Sequence, residues 1–305
     1  MPKVSVLLTC YNHVRFLPAA YASILAQTHR DWEIIAIDDG STDGTREWLA
    51  ENAKEAHLEF NKTNLGTYGT LNRALALSTG EVVAVFNDDD LWEPTKLERQ
   101  LEILAAYPMV GLVHTDGTFI GGEGERLPGN PLGFAFPRTR TGDVLLDLIY
   151  HNKIIASAAL VRRECFARCG VFNPAYFGSG DWEMWLRIAE RYEVGYVDEP
   201  LTHYRVHGTN ASHKLERIWR DDQMLREWIR SREAFYRRRG CDAGRLRAAL
   251  AHNEACLGTV RMLNGDSDGA RQAYLRSLRF SPMRVKTWLR LGATGLPRSA
   301  FRKLL

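Results

Sequence analysis

Apolar and polar positions are grouped in short alternating blocks through residue 213. Val4–Cys10 and Val82–Phe86 are apolar runs of strand length, and the second lacks alternation, so it predicts a strand buried on both faces of a parallel sheet. Between them, Phe16–Gln27 sets Leu17, Tyr21, Ile24 and Leu25 at helical spacing, and Glu33–Asp38 predicts a second strand. A short strand near Leu58–Phe60, a helix over Tyr68–Leu77 and a helix over Pro94–Ala106 complete the first half. Further on, Asp143–Asn152 predicts a helix and Ile154–Val161 a strand. Trp182, Trp185, Leu186 and Ala189 share one face of a helix that would begin at Asp181, and Val194–Tyr204 predicts another strand. Strands alternating with helices imply a doubly wound α/β sheet with ligands beyond the carboxyl ends of its strands. After about Asn210 the pattern is helical throughout.

Three strand ends carry polar clusters: Thr9-Cys10-Tyr11-Asn12, Asp38-Asp39 and Asn87-Asp88-Asp89-Asp90. Adjacent carboxylates repel one another unless a cation sits between them. A hard divalent ion carrying a diphosphate suits them, because Mg²⁺ and Mn²⁺ take oxygen ligands and keep phosphate and water in the shell. The plainer alternative is a solvated acidic turn in which Asp90 caps a helix beginning near Trp92. No Gly-x-Gly-x-x-Gly follows the first strand and no Gly-Lys-Ser/Thr loop occurs, which argues against a dinucleotide dehydrogenase or a P-loop ATPase.

Six segments in order then resemble the family 2 glycosyltransferases of the GT-A fold. They are Val4–Asn12, Ile37–Thr45, Asn64-Leu65-Gly66 with Asn72 beyond, Asn87–Trp92, Gly180–Arg187 and Tyr204-Arg205-Val206-His207. The resemblance covers residues 1–213 and implies an inverting enzyme that uses a nucleoside-diphosphate sugar. Within that region it implies a donor half, 1–120, and an acceptor half, 121–213. Thr9, Tyr11 and Asn12 match the loop that holds base and ribose, and Tyr11 offers a ring face for stacking. Asp39 matches the carboxylate that accepts a base N–H, which suits uracil or thymine, and Asp38 supports that loop. Asp88 matches the ribose-side acid, and Asp89 the ligand of a Mn²⁺ or Mg²⁺ ion that bridges the diphosphate. Asn64 and Asn72 would orient donor loops. Arg205 would reach phosphate and His207 the metal. Asp181 matches the general base that takes the acceptor hydroxyl proton, and its place at a helix N-terminus is expected to favour the ionised form. Two residues depart from the common pattern: Asn87 stands where many relatives have Asp, and Gly180 where Glu is common. A catalytically silent nucleotide-sugar-binding module is the alternative, although it would be expected to lose Asp89 or Asp181.

Composition is that of an ordinary globular chain: 305 residues, 45% hydrophobic and 25% charged. Charge is divided unevenly along it. Residues 1–213 hold 19 Lys/Arg and 28 Asp/Glu (−9), whereas 214–305 hold 21 and 9 (+12). The basic region suggests an anionic partner, whether membrane surface, lipid pyrophosphate or nucleic acid, unless it is simply the solvated face of amphipathic helices. With the resemblance in view, a lipid-linked or glycan acceptor is expected and nucleic acid is not. Gly265–Pro282 resembles one tetratricopeptide-like hairpin, and Val285–Leu305 mixes Trp, Leu and cations like an interfacial segment. Residues 121–142, rich in Gly, Pro and Arg, read as a mobile loop. The five cysteines follow no zinc or disulfide spacing, which fits free thiols in a reducing cytosol. Met1–Ser5 leads straight into a strand and does not read as a signal peptide, and no apolar run nears the ~18 residues of a membrane span. A cytoplasmic protein, peripheral at most to the inner face of a membrane, is expected. Polysaccharide assembly is the setting the resemblance implies.

Overall fold

The computed structural model describes residues 2–128 and 136–303. In chain order the first elements are β1 (Val4–Cys10), α1 (Leu17–Leu25), β2 (Trp32–Asp38), α2 (Thr45–Asn52) and β3 (Ala56–Phe60). Then come α3 (Gly66–Leu77), β4 (Val82–Asn87), β5 (Leu91–Trp92), α4 (Lys96–Ala106) and β6 (Val110–Ile120). They are followed by α5 (Leu145–Tyr150), β7 (Leu160–Arg162), α6 (Arg163–Cys169), α7 (Gly180–Ala189) and β8 (Glu193–Arg205).

One eight-stranded sheet runs β3-β2-β1-β4-β7-β6-β8-β5. Its first four strands are parallel; β7 is antiparallel to both neighbours, and β6 pairs parallel with β8. The unalternated runs in β1 and β4 are buried along almost their whole length, as strands covered on both faces must be. The core they form with α1 and α4 includes Leu8, Leu17, Ile24, Phe86, Trp92 and Leu101.

Three expectations change. Residues 154–161 do not form one strand: Ala156–Ala158 is a 3-10 turn and pairing begins only at Leu160. The turn frees the Ser157 hydroxyl, which accepts from the Asn87 amide N–H (3.2 Å) and donates to the Asp90 carboxylate. Asp90 is therefore no helix cap. It is fully buried, also accepts the Arg205 backbone N–H (2.9 Å), and the residues after it pair with β8 as β5. The strand β6 is not foreshadowed by an apolar run, because Gly111, Asp116 and Gly117 interrupt it and its register shifts around Asp116. Of the expected mobile loop, Gly121–Gly124 is a tight turn closed by Gly121 N–H to Glu125 C=O (2.9 Å), and residues 129–135 lie outside the described residues.

The remaining elements are helical: α8 (Leu215–Ser231), α9 (Glu233–Arg238), α10 (Ala243–Leu263), α11 (Ser267–Phe280), α12 (Val285–Gly292) and α13 (Arg298–Arg302). The chain forms two compact units. The first comprises 1–144, 152–176 and 180–210; the second comprises 145–151, 177–179 and 211–305. Within the second, the hairpin expected over Gly265–Pro282 is instead the single helix α11, which pairs with α10 through a turn at Gly265 in the left-handed region (φ +89°). Asp242 and Asp266 cap the two helices by accepting the Arg245 and Gly269 N–H groups. Gly258 leaves room for the Tyr274 ring, which a Cβ there would meet at 2.6 Å. Buried Asp221 on α8 accepts the backbone N–H groups of Phe177, Gly178 and Ser179 (2.6–3.0 Å), and the apolar side of α5 packs on α10. Among the described residues no helix is long and apolar enough to cross a membrane, and all five cysteines are free.

Candidate active site

Strand register brings the polar clusters to one edge, because Cys10 pairs with Asp38 and Thr9 with Asn87. The loop after β1 is sewn to the loop after β2. Asn12, the one non-glycine with positive φ among the described residues (56°), donates its backbone N–H to Ser41 Oγ (3.0 Å). Its side-chain oxygen accepts the Thr42 N–H (2.8 Å). Asn tolerates this backbone because its short amide bonds locally. Asp38 folds its own turn by accepting from Gly40 and Ser41 N–H. Asp39 is buried, with Oδ1 accepting from Asn61 Nδ2 (2.7 Å) and Leu65 N (2.8 Å), and Oδ2 from Gly66 N (3.0 Å). That leaves one acceptor position on Oδ2. Asn64 holds the same turn, donating to the Asp39 carbonyl (3.2 Å) and accepting the Gly66 N–H (3.0 Å). Half-buried Thr9 ends the β1 floor, and the Tyr11 side chain is 45% exposed beside it.

Asn72 is placed elsewhere. Its amide grips the backbone of Phe172 from both sides (2.8 and 3.0 Å), so it orients the segment before α7 rather than a donor loop. Asn87 stays next to the acidic run, its Nδ2 3.5 Å from Asp90 Oδ2. Arg205 differs from expectation too. Its Nε donates to the Asp89 carbonyl (2.7 Å) and its Nη1 to the carbonyls of Gly121 and Gly122, while the guanidinium lies over Phe16. Those bonds occupy on loop carbonyls a group that the resemblance puts on phosphate.

The centre of the edge is a cluster of imidazoles and carboxylates. Asp88 Oδ2 accepts the Tyr11 N–H (2.9 Å), and Oδ1 lies 2.7 Å from His13 Nδ1, so Asp88 is the partner of His13 rather than an open ribose ligand. Asp89 Oδ2 lies 2.9 Å from His207 Nε2 and accepts from Asn210 Nδ2 at 3.4 Å. Ligand atoms of His13, Asp89 and His207 all lie within 4.8 Å of one another. Burial lowers the affinity of His13 for its proton, but the bond to Asp88 and the charges of Asp88, Asp89 and Asp43 outweigh it and raise the pKa to about 9. Neither His13 nor Asn210 is apparent from sequence. The usable signal was the position of His13 in the loop beyond the first strand, where ligands gather. Two imidazoles and a carboxylate are a chemically sound donor set for a divalent ion, so the residues fit the metal that the fold implies.

Asp181 sits at the second position of α7, partly buried. Oδ1 accepts the Trp182 N–H (2.7 Å) and faces Tyr68 Oη at 3.4 Å, while Oδ2 faces Asn152 Nδ2 at 3.3 Å. Burial pushes its pKa up to about 6, against the opposing pull of Trp182 N–H, Asn152 and Tyr68. The helix terminus does favour the ionised form, through the Trp182 N–H, but desolvation outweighs it. Gly180 acquires a reason as well. A Cβ there would lie 2.7 Å from the Tyr68 ring, so the absence of a side chain is what lets the tyrosine reach the carboxylate.

Residues 5–169 match the profile described as Glycosyl transferase family 2, which covers more than half of the chain. An uncharacterized glycosyltransferase of Nostoc sp. is 31% identical over 217 residues, spanning 68% of this chain and 66% of that protein, just under two thirds of its length. Among solved structures, Staphylococcus aureus TarS 1–349 in complex with UDP-GlcNAc superposes with a TM-score of 0.70 at 15% identity, covering 98% of this chain and 89% of that one. The mannosyltransferase PcManGT of Pyrobaculum calidifontis, in complex with GDP-Man and Mn²⁺, gives 0.59 at 20% identity over 98% and 86%. At those identities the structures establish the GT-A fold. With motifs, profile and fold in agreement, the chain belongs to glycosyltransferase family 2.

Proposed function

We propose that this protein is an inverting transferase that moves a sugar from a UDP- or dTDP-sugar to a hydroxyl of a glycan or lipid-linked acceptor. The observation that carries the reading is Asp181, a partly buried carboxylate whose proton affinity is raised to about 6, where a general base works near neutral pH. In one displacement the acceptor O–H gives its proton to Asp181, its oxygen bonds to the anomeric carbon, and the bond from that carbon to the diphosphate breaks. Tyr68 and Asn152 hold the carboxylate in place while it accepts the proton. At the other edge, Tyr11 offers a stacking face and the remaining acceptor position of Asp39 suits an N–H at the base edge, as in uracil or thymine. The two fold neighbours carry different bases in their complexes, so base choice rests on this chain's own loop. A divalent ion at Asp89 and His207 would supply positive charge where the leaving diphosphate becomes more negative.

The deciding experiment is calorimetry of UDP, dTDP and GDP, with and without Mn²⁺, on wild type and Asp89→Ala, paired with turnover of Asp181→Asn. Metal-dependent pyrimidine nucleotide binding that Asp89→Ala loses and Asp181→Asn keeps, with transfer lost in both, supports the reading. Nucleotide binding with no turnover of any donor by wild type would move the silent-module alternative to the front.

The reading extends to a cytoplasmic enzyme, peripheral at a membrane and serving polysaccharide assembly, with 1–213 as the catalytic region and 214–305 as the docking region. From residue 269 to the end the sequence has nine Lys/Arg and no acid. There Met283, Val285, Trp288 and Leu289 are 53–89% exposed, the pattern of an interfacial helix on anionic lipid. Flotation with phosphatidylglycerol vesicles at low salt tests it, and failure to co-float would remove the membrane from the proposal.

A further inference from the structure

The donor set at Asp89 differs from what a purely acidic motif leads one to expect. His13 and His207 come from opposite ends of the catalytic unit, after β1 and after β8, and their rings meet edge to face at 5.0 Å. Each has its Nδ1 anchored on oxygen: His13 on Asp88 Oδ1 and His207 on Thr209 Oγ1, both at 2.7 Å. Such an anchor fixes the ring and makes Nε2 the ligand atom, the arrangement in which a carboxylate or hydroxyl orients a metal-bound histidine; the Nε2 of His207 is also 3.2 Å from Asn210 Nδ2. The Nε2 of His207 already points at Asp89 Oδ2 (2.9 Å). Phe16, only 8% exposed, closes one side of the pair, 5.9 Å from His13 and 4.6 Å from His207 between ring centroids. Rings held in this way do not turn outward to water.

We propose that His13 is a third protein ligand of the donor-site ion, and that the two imidazoles make the site select a first-row transition metal over Mg²⁺. The inference rests on the donor-site reading above. Mg²⁺ prefers an all-oxygen octahedron and gives up water reluctantly, whereas Mn²⁺, Co²⁺ and Zn²⁺ accept imidazole nitrogen readily. One carboxylate and two nitrogens would hold the ion and would leave it open to diphosphate oxygens and water. Asp88 acts in this scheme as a positioning residue, since it touches His13 and not the ion.

Pulsed electron paramagnetic resonance of Mn²⁺ bound to the full-length protein, alone and with UDP, reads the ligands directly through nitrogen couplings. Couplings from two imidazoles are expected in wild type and from one in His13→Gln. Mg²⁺ competition should be weak in wild type, and the Mn²⁺-over-Mg²⁺ preference should fall at least about tenfold in His13→Gln. Asp88→Asn, which keeps all three ligands, should weaken Mn²⁺ by about 10- to 100-fold through loss of ring orientation. Circular dichroism of both variants separates these effects from misfolding, and the wild-type spectrum stands without any variant. Bound Mn²⁺ showing one nitrogen in wild type and in His13→Gln alike, or displaced as readily by Mg²⁺, overturns the assignment while leaving the donor site intact. Absence of Mn²⁺ binding with or without UDP overturns both.

Discussion

At the end of β4, Asp89 faces an imidazole and an amide donor, with a second imidazole close by; at the start of α7, Asp181 faces a phenol, an amide and a backbone N–H. Both are carboxylates placed by loops at strand or helix ends. Around Asp89 stand two imidazoles and an amide, a donor set that suits a shared cation. Around Asp181 the neighbours are neutral, and its burial makes the charged form costly and raises its affinity for a proton. Under the proposed function, company more than residue type would divide the work between metal ligand and base.

The sharpest way to break this division is to neutralise each acid in turn. Asp181→Asn should lower kcat by about 10²- to 10⁴-fold while Mn²⁺-dependent UDP binding stays within a factor of about two, read by turnover and calorimetry on the same samples. Asp89→Asn should do the reverse to binding. If both variants lost binding together, the two acids would not be separable and the comparison would fail.

A pH profile is the next test. With a base titrating at about 6, the transfer rate at saturating donor should fall about tenfold per unit below that value and level off above it. Tyr68→Phe removes a bond that favours the ionised form, so the inflection should move up. An unmoved inflection would mean that Tyr68 is only packing.

Gly180→Ala sharpens the same point through stability. The added Cβ meets the Tyr68 ring at 2.7 Å, an overpacking expected to cost about 1–3 kcal/mol and to show as a lower Tm.

The smallest effect concerns the acid itself. A carboxyl whose folded pKa is raised from 3.8 to about 6 lends stability that is fully present below about 3.8 and is lost as pH rises through about 6. At pH 8 the wild type therefore carries a penalty, on the order of 1–2 kcal/mol once its partial contact with solvent is allowed for. Asp181→Asn should accordingly melt higher than wild type at pH 8 and no higher at pH 4. A lower Tm at pH 8 would show that the carboxylate is better solvated than its partners suggest.

How far the molecule could be read in advance follows the same split. The runs Val4–Cys10 and Val82–Phe86 declared buried parallel strands because burial on both faces leaves no polar alternation. Asp39, Asp89 and Asp181 stood out because their segments keep the family's residues in order. What stayed hidden depends on approach across the fold. His13 matters through Asp88, 75 positions away, and Asn210 through Asp89, 121 positions away, and no local pattern signals either. The strand β6 was obscured for another reason: Gly111 and Gly117 lower its apparent strand character, and pairing with β8 on one side and β7 on the other makes up for them. The proton affinity of Asp181 turned on the depth of its burial, a quantity that helix position alone does not supply.

Asp221 has a consequence for the order in which the chain matures on the ribosome. The three residues immediately before Gly180-Asp181 are pinned by a carboxylate some forty positions downstream. The apolar side of α5 likewise finds its cover only in α10. As the polypeptide emerges, the edge from β1 to β4 can assemble from what has already been made, whereas residues 177–179 must wait for Asp221. Nascent chains halted before residue 221 should resist protease through the early strands and be cut near residues 177–179, whereas chains extended well past residue 221 should be protected there.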